Sequence, residues 1–228
     1  MAVGFTYSVE KECPICGAKI KVTKTRSRLV KISQDLDFCM HYKDFNPYYY
    51  TIWICSHCGY AADEPHFGYI NEIYKKKIAE FLQGKDVKIE YKEERSWSDA
   101  VTSYKLSIFF AELIAEKPSY IAGLYLKLAW LYREEKNNEQ EQALLNKAME
   151  LYDASLSTEH YPIGSMTDNA VMYLIAALSY ETGNISKAMQ YLSKLIGNEQ
   201  VRLEPLIYNK ARDLWQSLRK ENNEINKK

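Results

Sequence analysis

The sequence predicts an α+β protein, mainly α, with a small strand-rich head followed by a stack of helical hairpins. Three observations carry this. All five cysteines of the 228 residues fall before residue 60. The same stretch is rich in β-branched and aromatic residues, which favour a pleated, half-buried surface. From about residue 66 onward the apolar residues recur with helical spacing. These place the head at 1–65 and the helical domain at 66–228, with the change of pattern near 61–66.

In chain order, "CPICG" at 13–17 opens the head, and "AKIKVTKTRSRLVKIS" and "YYYTIWIC" supply strand and hairpin material before "CSHCG" at 55–59. The helical part begins with "SDAVTSYKLSIFFAELIAEK", which stops before Pro118, and continues with "YIAGLYLKLAWLYREEK". A polar "NNE" break precedes "EQEQALLNKAMELYDASL". Val171, Leu174, Ile175 and Leu178 fall at i, i+3, i+4 and i+7, as do Ile185, Ala188, Met189 and Leu192. Between the two runs, Gly183 suits a left-handed helix end and Asn184 an N-cap, so a tight hairpin is predicted. A last helix runs through "PLIYNKARDLWQSLRKE".

Helical pairs raise the question of repeats. Residues 122–155 match the tetratricopeptide pattern in part, with Tyr125, Leu128, Ala129 and Tyr132 and then Leu145 and Ala148, although Glu141 stands where a small residue is usual. Residues 169–202 match in part through Met172, Ile175, Ala176, Gly183, Ala188 and Leu192, with Leu195 in place of the closing Ala. The copies start 47 residues apart, against the usual 34, so "SLSTEHYPIGSMT" interrupts them. A divergent tetratricopeptide-like stack and an irregular helical bundle both accommodate this pattern, and in either the residues are core.

Each C-x2-C turn places two thiolates at a separation suited to one metal ion, and a glycine after the second cysteine lets the backbone fold back around it. Cys13, Cys16, Cys55 and Cys58 are therefore the expected ligands of one structural zinc, each pair supplying half a closed shell. The arrangement resembles the paired knuckles of zinc ribbons, with a long insert over residues 17–54. Redox dithiols are the alternative. Cys39 with His41 suggests a second, open site, but a lone cysteine beside Phe38 reads better as a small buried hydrophobe. His57 lies inside the second knuckle but points the wrong way in sequence to help close it, and His66 and His160 have no partner at ligand spacing. Asp35 and Asp37 fit a turn better than a catalytic pair.

Thirty basic and thirty acidic residues cancel, which excludes a surface built wholly for nucleic acid or anionic lipid. Lys19, Lys21, Lys24, Arg26, Arg28 and Lys31 nevertheless form an acid-free basic stretch. Lys24, Arg26 and Arg28 are the candidate phosphate contacts, against the reading that such cations only protect a strand. There is no phosphate loop, dinucleotide fingerprint, H-E-x-x-H or G-x-S-x-G, so no enzyme is predicted. The start, "MAVGFTYSVEKEC", does not read as a signal peptide, and no run of 18 apolar residues occurs, so a cytoplasmic protein without membrane contact is expected.

The segments "CPICG", "DLDFCMHYKDFNPYYYTIWICSHCGYAA", "SYKLSIFFAEL", "AGLYLKLAWLYREE", "YETGNISKAMQYLSKLI" and "ARDLWQSLR" together resemble an uncharacterised bacterial family, domain of unknown function twenty-two twenty-five. The likeness runs from about residue 11 to 219. It implies a bacterial cytoplasmic protein with a zinc-ribbon-like N-terminal module and a helical-repeat region, and it brings no reaction or substrate. The expectation is a non-enzymatic protein- or peptide-binding adaptor, with Lys127, Arg133 and Asn169 as exposed contacts. A nucleic-acid-associated regulator acting through residues 19–31 is the alternative, and an open-metal enzyme the third.

Overall fold

The structure is a computed structural model that describes residues 4–225 except 86, 88 and 91, with side chains described as far as Lys220. It is α+β, mainly α, with short antiparallel strand pairs near the N-terminus followed by helices. Strands β1 (Thr6–Glu12) and β2 (Lys19–Thr25) pair antiparallel with Val9 opposite Val22. Period-two burial sends Ile20 and Val22 inward and Lys19 and Lys21 outward. Strands β3 (Lys31–Gln34) and β4 (Met40–Tyr42) form a second pair. Strands β5 (Ile52–Ile54) and β6 (Ala61–Asp63) form a third, with Trp53 opposite Ala62.

Helices α1 (Glu64–Gly68) and α2 (Glu72–Leu82) follow, capped by the side chains of Asp63 and Asn71. Helix α3 (Trp97–Leu113) opens with a capping box, Ser96 accepting from the amide of Asp99 while Asp99 accepts from the amide of Ser96. The remaining helices are α4 (Pro118–Glu134), α5 (Asn138–Thr158), α6 (Asp168–Glu181), α7 (Ile185–Gly197) and α8 (Pro205–Ile225).

The chain forms two compact units. The first comprises 1–33, 40–116 and 127–137, and the second 34–39, 117–126 and 138–228. This interleaving differs from a single cut after residue 65. In the first unit α3 packs on β5 and β6, with Tyr104 wholly buried and donating its hydroxyl proton to the carbonyl of Tyr48 at 3.2 Å. Arg95 ties the start of α3 to this layer through the carbonyls of Ile52 at 2.6 Å and Tyr49 at 3.1 Å.

In the second unit the α6–α7 hairpin forms as its sequence requires. Gly183 takes φ 78°, and Asn184 caps α7 by accepting from the amide of Lys187 at 3.2 Å. Val171, Leu174, Ile175 and Leu178 face inward with Ala188 and Leu192, all fully buried. Helix α6 also meets α5 and α8. Also in this unit, Glu159 receives the amide and hydroxyl of Ser119 at 2.8 and 2.6 Å, satisfying the first turn of α4.

Candidate metal centre

The two repeated pentapeptides fold as one repeated structure. "CPICG" connects β1 to β2 and "CSHCG" connects β5 to β6. In the first, the amide of Gly17 donates to the carbonyl of Cys13 at 2.9 Å, and the amide of Cys13 donates to the carbonyl of Ala18 at 2.9 Å. In the second, Gly59 bonds to Cys55 at 2.9 Å and Cys55 to Tyr60 at 2.8 Å, in the same positions. Gly17 at φ 69° and Gly59 at φ 78° occupy the left-handed region, which explains the glycine after each second cysteine.

The turns bring their sulfurs together. Cys13 Sγ lies 3.7 Å from Cys58 Sγ, and Cys16 Sγ lies 3.6 Å from Cys55 Sγ. All four Sγ atoms fall within 4.8 Å of one another. A tetrahedron of sulfurs at about 2.3 Å from a central ion has edges of about 3.8 Å, so the four donors are positioned to coordinate a metal ion. Cys13 and Cys55 are buried at 1% and 0% exposure, whereas Cys16 is exposed. The sulfurs polarise one another. Hydrogen bonding to Cys13, then to Cys58, drives Cys55 toward the thiolate, the form that binds metal. The bond to Cys55 pushes Cys13 up to about 12.

Beside the first knuckle a groove of about 460 Å³ is lined by Cys13, Pro14, Trp53, Phe67, Lys11 and Glu64 among others. Lys11 and Lys24 both stand over the Trp53 ring, at 5.7 and 5.8 Å. On α1, Asp63 accepts from Nδ1 and the backbone amide of His66, at 2.6 and 3.3 Å, so His66 serves the end of β6. No spacing in the sequence announces this pair, because it looks like any short helix start.

The other predicted residues have varied settings. Lys24 is bonded to Glu64 at 2.7 Å. Arg26 donates to the carbonyl of Gly4 at 3.0 Å and lies 5.3 Å from the Tyr7 ring centre. Arg28 is exposed. The register also sets Lys21 opposite Glu10 and Lys19 opposite Glu12, which balances the strand's charge across the ladder. Lys127 is half-buried, and burial holds its ammonium below the usual lysine pKa, with the charge of Asp63 acting in the opposite sense. Arg133 is half-buried. Asn169 is only 8% exposed and donates to Glu204 at 2.6 Å, so the expectation of an exposed amide there is corrected: it belongs to the N-terminal turn of α6. Cys39 is 4% exposed and stands outside the group of four. Asp37 accepts from the amide of Cys39 at 3.1 Å, as a turn residue does.

Two β-hairpin knuckles holding four convergent thiols, in a chain otherwise mostly helical, define a cysteine-knuckle protein with a candidate metal centre. The chain belongs to the bacterial family described as "Uncharacterized protein conserved in bacteria (DUF2225)", whose sequence profile matches residues 6–218. Comparisons with curated proteins and with solved structures returned no match. Among the described residues, no helix is long and apolar enough to cross a membrane.

Proposed function

We propose that this protein is a non-enzymatic adaptor in which one zinc ion, held by Cys13, Cys16, Cys55 and Cys58, staples the knuckles, and the helical region binds a protein or peptide. The observation that carries it is the closed donor set: four sulfurs at tetrahedral separations use every position of a zinc ion, which leaves none for water or substrate. A structural ion of this kind contributes folding energy and no reaction. The tetratricopeptide-like reading of the helices is supported by the buried pattern of the α6–α7 hairpin and its glycine-terminated turn. Stacks of such hairpins keep a fixed core while their outer residues vary to suit a ligand.

The nucleic-acid alternative loses support from the settings of Lys24 and Arg26, each already engaged within the protein. A steep salt dependence of oligonucleotide binding, abolished by neutralising Lys24, Arg26 and Arg28, would restore it.

The test is the native mass of untagged protein purified gently from its own cells. The adaptor reading expects the 26.6 kDa chain with one zinc and an added protein mass. A chain that carries zinc and never retains a protein, at any salt concentration, would remove the adaptor role.

A further inference from the structure

Residues Gln34–Cys39 belong to the second compact unit together with α5 to α8, and their contacts there have the chemistry of a bound peptide. The Phe38 ring lies 5.3 Å from the Tyr173 ring of α6, tilted by 50°. The ammonium of Lys210, on α8, stands 5.5 Å from the centre of the same Phe38 ring. Helices α6 and α8 are themselves in contact, so one face supplies both the aromatic and the cationic partner. Asp37, next to the ring, is fully buried.

The segment is held in shape by its own bonds. The amide of Asp35 donates to the carbonyl of Cys39 at 2.9 Å, that of Phe38 to Asp35 at 3.2 Å, and Gln34 Nε2 to the carbonyl of Phe38 at 3.4 Å. Two features mark it as an imperfect occupant. Phe38 adopts φ 69°, a left-handed conformation unfavourable for a bulky side chain. Beneath it, Tyr173 is fully buried and its hydroxyl has no hydrogen-bond partner among the described residues. Native interiors rarely leave a buried hydroxyl unmatched.

We propose that Gln34–Cys39 is an internal ligand, and that the α6–α8 face it covers takes in trans a short peptide whose aromatic side chain fills the Phe38 place between Tyr173 and Lys210, the segment and the partner competing for that one place. This rests on the adaptor reading, names its partner class and gives it a control: binding requires the segment to leave.

The probe is a fluorescent synthetic peptide copying residues 33–40, with serine in place of Cys39, added to the full chain. Phe38→Gly removes the competing ring and suits the left-handed backbone, so this variant should bind the peptide at least tenfold more tightly than wild type. Adding Lys210→Glu should reverse the gain by tenfold or more. Equal affinity for wild type and a folded Phe38→Gly variant, or binding indifferent to Lys210→Glu, would overturn the proposal. Wild type alone provides a second readout, since Cys39 is buried. Saturating peptide should accelerate alkylation of Cys39 severalfold, and an unchanged rate would also overturn it. The adaptor reading fails separately. Peptide binding with no protein co-purifying would remove the adaptor and keep the internal ligand, while a co-purified protein retained undiminished by Lys210→Glu would do the reverse.

Discussion

Cys13 Sγ lies 3.7 Å from Cys58 Sγ, although 45 positions separate the two residues in the chain. Each sulfur is delivered by its own hairpin, so neither pair closes a site alone. Replacing Cys13 or Cys55 with serine should therefore release the metal from the remaining three sulfurs. Structural zinc in small knuckles contributes an apparent ~10–16 kcal/mol at neutral pH, so the variants should also lose the cooperative unfolding of the head. Zinc content and the thermal melt, measured on the same samples, check both; a variant with one zinc and an unshifted melt would contradict the assignment.

The two knuckle glycines should differ in cost although both close a C-x2-C-G turn. A Cβ at Gly59 would stand 2.7 Å from Val87 Cγ1, whereas one at Gly17 would meet nothing closer than Glu12 Oε1 at 3.9 Å. Both pay for a left-handed backbone, about 1–2 kcal/mol for a residue with a Cβ. Gly59→Ala should lose a further ~1 kcal/mol from the crowded contact. Denaturant melts of the two variants measure the difference, and equal losses would show that Val87 moves aside freely.

The Asp63–His66 pair gives the head a pH dependence. Burial alone would lower the His66 pKa, but the hydrogen bond to Asp63 and the charges of Asp63 and Glu116 outweigh it, and the net shift is upward. A raised histidine pKa adds stability that is fully present below the unfolded value, about 6.5, and is lost as pH rises through the higher folded value. The His66 side chain is 36% exposed, so solvent reduces the effect to about 0.5 kcal/mol. The stability difference between wild type and His66→Ala should shrink by that amount between pH 5.5 and pH 9, as read from urea melts at both values. A difference that grows with pH would contradict the pairing.

Helix α3 should depend on its cap. Ser96 accepts from the amide of Asp99 at 3.2 Å, and Asp99 accepts from the amide and hydroxyl of Ser96 at 2.9 and 2.7 Å. These bonds, led by the Ser96 hydroxyl and aided by Lys92, hold the Asp99 carboxyl at about 2. Ser96→Ala should cost about 1 kcal/mol at neutral pH. The cap's contribution is present above the unfolded carboxyl pKa and disappears as pH falls through about 2. An NMR titration of Asp99 in wild type and Ser96→Ala follows both, with an upward move of its pKa expected in the variant.

How much of this was legible in the sequence depended on how local the cause was. The knuckles were legible because C-x2-C-G encodes turn, donor and backbone freedom within five residues, and the α6–α7 hairpin because Gly183 and Asn184 mark its turn. Phe38 and Tyr173 meet across 135 positions, and no periodicity links "DLDFC" to the sixth helix. Asn169 looked like an exposed polar residue because its acceptor, Glu204, lies 35 positions further on. The basic run over 19–31 looked unopposed because cross-strand register, which sets Glu10 and Glu12 against Lys21 and Lys19, exists only once the hairpin forms. Asp63 and His66 were adjacent enough to read but carried no distinctive pattern.

The most direct test of the account is X-ray absorption at the zinc edge of protein purified without added metal, with zinc counted per chain. The account predicts one zinc surrounded by four sulfurs at about 2.3 Å and no nitrogen or oxygen ligand. A shell containing nitrogen or oxygen, or a chain that holds no zinc, would contradict it.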